Sequence, residues 1–106
     1  MILTIVDPKE FLEYIRSDRK IIVEYSNSSN EEVHRNISSA LDALSNEHPD
    51  IDFLTVDLEL LPQVSETVGV RTAPSFQAFN KGSKVGQFFG NSRHKLAELI
   101  SDLNSA

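Results

Sequence analysis

Short apolar runs alternate along this chain with stretches in which apolar residues recur every three or four positions. The first pattern fits buried strands and the second fits one face of a helix. Ile2–Val6 predicts an opening strand. Asp7-Pro8-Lys9-Glu10 reads as a helix start, with Asp7 as N-cap, Pro8 at the first helical position and Glu10 closing a capping box. Phe11, Leu12 and Ile15 mark the apolar face of a helix from Pro8 to about Ser17. A polar turn, Ser17–Lys20, leads into the strand Ile21–Tyr25, whose Ile-Ile-Val start fits burial on both faces.

Ser26–Asn30 breaks that strand into a loop. A second helix is predicted from Ser28 or Ser29, where Ser29-Asn30-Glu31-Glu32 is another capping box. Val33, Ile37, Ala40, Leu41 and Leu44 keep helical spacing to about Asn46, and Pro49-Asp50 ends the segment. Phe53–Asp57 is a third strand. Leu60 to Val68 reads as a short helix, with Pro62 near its start and Gly69 past its end. A loop, Val70–Pro74, enters the strand Ser75–Phe79, which returns through the turn Asn80–Ser83 as Lys84–Phe89. Gly90-Asn91-Ser92 precedes a last helix carrying Leu96, Leu99, Ile100 and Leu103 on its buried side.

The order is β-α-β-α-β-α-β-β-α. Strand–helix–strand units pair in parallel with helices on the sheet faces, and the late hairpin adds an antiparallel pair. The expected class is α/β: one domain over residues 1–106, with a mixed central sheet flanked by helices on both faces.

Composition narrows the chemistry. The chain has 106 residues, 25% of them charged, with a formal net charge of −6. That balance argues against nucleic-acid or anionic-membrane binding, which needs clustered positive charge. No apolar run approaches a membrane span, and the first residues lack the basic region and cleavage site of a signal peptide, so a cytoplasmic or nuclear setting is expected. The chain has no cysteine, which excludes disulfides, thiolate metal sites and cysteine nucleophiles. His34, His48 and His94 are far apart and lack ligand spacing, and the acidic residues Asp50, Asp52, Asp57 and Glu59 lack the loop spacing of a calcium site. Neither a metal nor another cofactor is expected.

The stretch Ala73-Pro74-Ser75-Phe76-Gln77-Ala78-Phe79-Asn80-Lys81-Gly82-Ser83-Lys84-Val85-Gly86-Gln87-Phe88-Phe89-Gly90 resembles the C-terminal half of a eukaryotic thioredoxin. It has that family's proline-then-hydroxyl pair, lysine–glycine hairpin and glycine before the last helix. Phe53–Asp57 is similar to the family's central strand, and Val23-Glu24-Tyr25 to its Val-Asp-Phe. The resemblance implies the thioredoxin fold over nearly the whole chain.

It fails where the family does its chemistry. Counting forward from Val23–Tyr25, the two cysteine positions of Cys-Gly-Pro-Cys fall on Asn30 and Val33. Counting back from Ile37, Leu41 and Leu44, they fall on Glu31 and His34. The family's tryptophan becomes Ser28, Ser29 or Asn30, and its helix proline becomes Ser38 or Ser39. Thiol–disulfide exchange needs one thiolate to attack and a second thiol to resolve, and serine can do neither.

The resemblance places a buried acid at Glu24 and a cis-proline loop at Thr72, Ala73 and Pro74. In the family that loop's backbone holds an extended substrate strand, a contact that needs no sulfur. Burial of Glu24 would raise its pKa above the ordinary value of about 4.3, so stability would fall as pH rises from the unfolded value through the folded one. The expected role is a non-catalytic protein-interaction module, alone or as a subunit of a larger complex, with a protein or peptide partner. The alternative is a glutathione-dependent or other transferase using the Ser28/Ser29 turn. Large aromatics are scarce around the expected site, which argues against a broad apolar client surface.

Overall fold

The computed structural model describes residues 2–28 and 31–106, and describes side chains at all of these except 31–34 and 36. Five strands and four helices follow the order expected from the pattern: β1 (Ile2–Thr4), α1 (Pro8–Ile15), β2 (Lys20–Ser26), α2 (Glu31–Glu47), β3 (Ile51–Asp57), α3 (Pro62–Val68), β4 (Ser75–Asn80), β5 (Ser83–Phe89) and α4 (Arg93–Ser105). They build a single mixed sheet ordered β1-β3-β2-β4-β5. β1 and β2 both run parallel to β3, while β4 is antiparallel to β2 and to β5. This is the thioredoxin fold.

Strand alternation divides the core into two layers. On one face Ile21, Val23, Tyr25, Leu54 and Val56 pack with Phe11 and Ile15 of α1 and Val64 of α3. On the other, Ile22, Phe53, Phe76 and Ala78 pack with Ile37 and Leu41 of α2 and with Leu96, Leu99, Ile100 and Leu103 of α4. A strand covered on both sides has no polar face, hence the continuous Ile-Ile-Val run.

Local chemistry sets most boundaries, with adjustments. Asp7 caps α1 as expected, but its carboxylate accepts from the Lys9 N–H at 2.9 Å rather than from Glu10. α1 stops at Ile15, where the Arg16 N–H still reaches the Leu12 carbonyl at 3.1 Å. β1 is shorter than the Ile2–Val6 run, because pairing with β3 ends after Thr4 and Thr55. The β4–β5 turn falls on Asn80–Ser83 as expected, and each strand runs one residue further into it: Lys81 and Gly82 are its two central residues, with φ of 52° and 83°. Positive φ at both positions is the two-residue hairpin turn that matches strand twist. A register shift after Ala78 bulges β5 at Val85. Gly69, at φ 71°, closes α3 by donating its N–H to the Ser65 carbonyl at 2.9 Å. The second capping box rests on Ser29 and Asn30, which lie outside the described residues.

The acidic residues grouped by sequence separate in space. Asp50 and Asp52 stand at the start of β3, where Asp52 takes the Arg19 guanidinium (2.9 Å from Nη2) and Asp50 lies 3.7 Å from Lys20 Nζ. Asp57 and Glu59 are at the opposite end of the same strand. Among the described residues no group of three or more His, Cys, Asp or Glu side chains could hold a metal, and no helix is long and apolar enough to cross a membrane.

Candidate functional site

At the carboxyl ends of β2 and β3 the chain leaves the sheet in opposite directions, β2 toward α2 on one face and β3 toward α3 on the other. Such a parting between neighbouring parallel strands opens a crevice in which α/β proteins bind ligands. Here it is bordered by Ser26 to Ser28 after β2, Leu58 to Pro62 after β3, and the loop entering β4.

Ser28 is exposed, and its hydroxyl donates to Glu59 Oε2 at 2.6 Å. The Glu59 N–H in turn donates to Asp57 Oδ1 at 2.9 Å, and the Leu58 N–H donates to the Ser26 carbonyl at 2.9 Å. These bonds tie the two departing loops together. Ser29 and Asn30 lie outside the described residues, as do the side chains of Glu31, Val33 and His34.

The Ala73–Pro74 peptide bond is cis. The carbonyls on either side of Ala73 are engaged: Thr72 O accepts the Ser75 hydroxyl at 3.0 Å, and Pro74 O accepts the Gly90 N–H at 2.8 Å. Among the described residues nothing hydrogen-bonds to the N–H or C=O of Ala73 itself. Ala73 also lines a groove of about 340 Å³ with Asn27, Leu58, Pro62, Ser65 and Arg71. Thr72 is exposed and Pro74 half-buried, and of the three loop residues Ala73 shares the groove with Asn27 and with Glu59, the partner of Ser28.

Apolar side chains missed by the sequence border this region. Phe89, opposite Ser75 in the β4–β5 pairing, is 58% exposed, and Leu60 is 74% exposed. Both come from segments that read as a strand and a helix start, and only the sheet order leaves them uncovered.

Glu24 is 1% exposed, between Thr55 of β3 and Phe76 of β4 in the sheet register. That is deeper than a strand end implies, because β2 continues to Ser26. Burial disfavours the charged form of a carboxyl. Glu24→Gln keeps the shape and removes the charge that burial disfavours, so it is expected to raise stability at pH 7, read from urea unfolding. A loss of stability instead would mean that the surroundings of Glu24 favour the carboxylate.

A second polar feature went unrecognised in the sequence. Tyr25 is fully buried, and its hydroxyl donates to Gln77 Oε1 at 2.7 Å. Gln77, 1% exposed, passes its amide N–H to Gln87 Oε1 at 3.2 Å, and Lys84 Nζ donates to the same oxygen at 3.1 Å. Tyr25 and Gln77 are diagonal neighbours across β2 and β4, a relation that exists only once the register is set. The available signal was the amide at Gln77, inside an otherwise apolar strand.

A sheet of this order, with a crevice between β2 and β3 and a proline loop beside it, defines a thioredoxin-fold protein without thiols. The chain belongs to the thioredoxin family: the family model for thioredoxin matches residues 2–103. Human thioredoxin is 38% identical over 61 residues, 58% of this chain and 58% of the human protein, so the match spans less than two thirds of that relative. Thioredoxin H2 of Arabidopsis thaliana is 26% identical over 95 residues, 90% of this chain and 71% of the plant protein. The thioredoxin of Trypanosoma brucei brucei superposes with a TM-score of 0.91 at 15% identity, covering 100% of this chain and 93% of that one.

Proposed function

We propose that this protein is a redox-inactive member of the thioredoxin family that docks an extended protein or peptide segment against the loop Thr72–Pro74, and that it is not an enzyme. The observation that carries this reading is that, among the described residues, nothing bonds the N–H or C=O of Ala73, which lies at the edge of a groove and is flanked by carbonyls already satisfied within the chain. A main-chain donor and acceptor on one residue is the hydrogen-bonding unit that strand addition uses. The exposed ring of Phe89, whose strand position pairs with Ser75 next to the loop, adds apolar area nearby.

Two measurements test it. The protein is expected to leave the reduction of insulin disulfides by dithiothreitol at the buffer rate, and turnover above buffer would end the redox-inactive reading. Peptides selected from a random display library are expected to bind wild type and to lose about tenfold or more in affinity on Ala73→Asp, with nearly unchanged melting temperature. Binding that survives Ala73→Asp would move the interface elsewhere. Heat released on titration with glutathione would favour a transferase built on the Ser28 turn instead.

A further inference from the structure

The sheet ends on β5, and the outer edge of that strand is unevenly protected. The opposite edge strand, β1, has only three residues. β5 has seven, and the exposed Lys84 and the bulge at Val85 guard its first half in the way natural sheets guard edges against pairing. Its second half, Gly86–Phe89, carries neither charge nor proline. Pairing with β4 fixes which main-chain groups look outward. The Gly90 N–H donates to the Pro74 carbonyl at 2.8 Å, and this pair continues the Phe89–Ser75 and Phe88–Phe76 register. Bonded and unbonded pairs alternate in an antiparallel ladder. Gly86, Phe88 and Gly90 therefore bond to β4, and the N–H and C=O of Gln87 and Phe89 point away from the sheet.

Beside this half-strand a groove of about 350 Å³ runs between β5 and α4, walled by Lys95, Glu98 and Asp102, all exposed. Leu99 fixes the alignment, because a Cβ on Gly86 would stand 3.0 Å from Leu99 Cδ1. α4 runs antiparallel to β5: near its end Asn104 accepts from Lys20 Nζ at 3.3 Å, and Lys20, Asn80 and Ser83 are in register at the start of β5. A helix rises about 1.5 Å per residue and a strand about 3.4 Å, so the point of α4 over Gln87 is about two residues before Leu99. That point lies close to the midpoint between Lys95 and Glu98.

From this we infer that β5 pairs antiparallel with β5 of a second copy of this chain, about a two-fold axis through Gln87, joining the two sheets edge to edge. Gln87 then exchanges both main-chain bonds with its counterpart, and Phe88 of each copy stands opposite Gly86 of the other, apolar ring beside Leu99. Each α4 lies over β4 and β5, and strands spaced about 4.8 Å apart put the two helices about 10 Å from each other, a helix-packing distance. A two-fold axis brings each surface patch onto itself. Because the axis passes close to midway between Lys95 and Glu98, Lys95 of each copy faces Glu98 of the other. Any extended strand could take the main-chain bonds of Gln87, but the matched lysine and glutamate commit the edge to a second copy. This surface is separate from the loop Thr72–Pro74 and stands whether or not that loop docks a peptide.

Sedimentation equilibrium is expected to show the mass of the wild type rising from that of one chain, 11.9 kDa, toward twice that value between micromolar and millimolar concentration. Over the same range, hydrogen exchange at the Gln87 amide should slow by about tenfold or more, while the Gly86 and Phe88 amides, already bonded to β4, are slow throughout. Lys95→Glu and Glu98→Lys each set like charges across the axis, so each variant alone should stay a single chain. An equimolar mixture of the two should recover the dimer, because each then meets its opposite charge. Both positions are exposed, and an unchanged melting temperature reports that the variants fold. A single-chain mass at every concentration, either variant associating as well as wild type, a mixture no more associated than its components, or a Gln87 amide indifferent to association would each overturn the pairing. A display-selected peptide that protects the Gln87 amide in a protein that stays a single chain would give the edge to a foreign strand and overturn it as well.

Discussion

Phe53→Ala is expected to lower the unfolding free energy by about 3–5 kcal/mol, the usual cost of removing a buried phenyl ring. Phe53 is 0% exposed in the middle of β3, in register with Ile2 of β1 and Ile22 of β2. Its ring belongs to the layer covered by α2 and α4, and a helix-covered sheet cannot collapse into the space left behind. Domains of this size commonly hold only about 5–15 kcal/mol in total, so this single change would leave the fold marginal. Urea unfolding checks it: the midpoint should drop with little change in the denaturant slope. A loss under about 1 kcal/mol would mean that the two-layer packing around β3 is looser than the structure shows.

Tyr25→Phe is expected to cost about 1–3 kcal/mol at pH 7, because it strands the buried Gln77 Oε1 without its donor. The ring's edge-on contact with Phe11, 6.2 Å between centroids, survives the change, so the loss isolates the hydroxyl. The substitution also has a pH signature. Desolvation pushes the Tyr25 phenol well above its ordinary value of 10.0. The unfolded chain therefore gives up that proton above about pH 10 while the folded chain keeps it. A raised folded pKa means stability present below the unfolded value and lost as pH rises toward the folded one. Tyr25→Phe removes this loss, so the gap between wild type and variant should narrow above pH 10, by about 1.4 kcal/mol per pH unit. Paired urea titrations at pH 7, 10 and 11 read the difference directly, and a gap constant with pH would show that the phenol ionises in place.

Both expectations depend on neighbours that the chain meets only after folding, which bears on how legible this protein was. The alternation of periods along the sequence was enough for the order of nine elements, since a buried strand and an amphipathic helix need different spacings of the same apolar residues. Asp7, Pro8, Pro62, Gly69 and the Lys81-Gly82 turn act through their own backbone geometry, so their meaning could be read locally. Missing cysteine is likewise a property of composition, and it removes thiol chemistry wherever the chain folds.

Boundaries were less legible, because they depend on pairing. β1 ends at Thr4 where its partner register with β3 runs out, although Ile5 and Val6 continue the apolar run. Val6 illustrates the limit: it reads as a strand residue, yet it stands 76% exposed at the mouth of a cavity. The acidic residues in and beside β3 looked like one group, but they sit at the two ends of a seven-residue strand, Asp50 and Asp52 at one and Asp57 and Glu59 at the other. The loop Thr72–Pro74 was named from the resemblance, but its surroundings came from tertiary structure. Among the described residues the N–H and C=O of Ala73 have no partner, while Ser75 and Gly90 take the carbonyls beside it. Ser26 meets Asp57, and Tyr25 reaches Gln77, across strands far apart in the chain. Local propensity and periodicity act over a few residues, whereas a binding surface is made of whatever the sheet order places side by side, and that order is decided only when both faces of the sheet are covered at once.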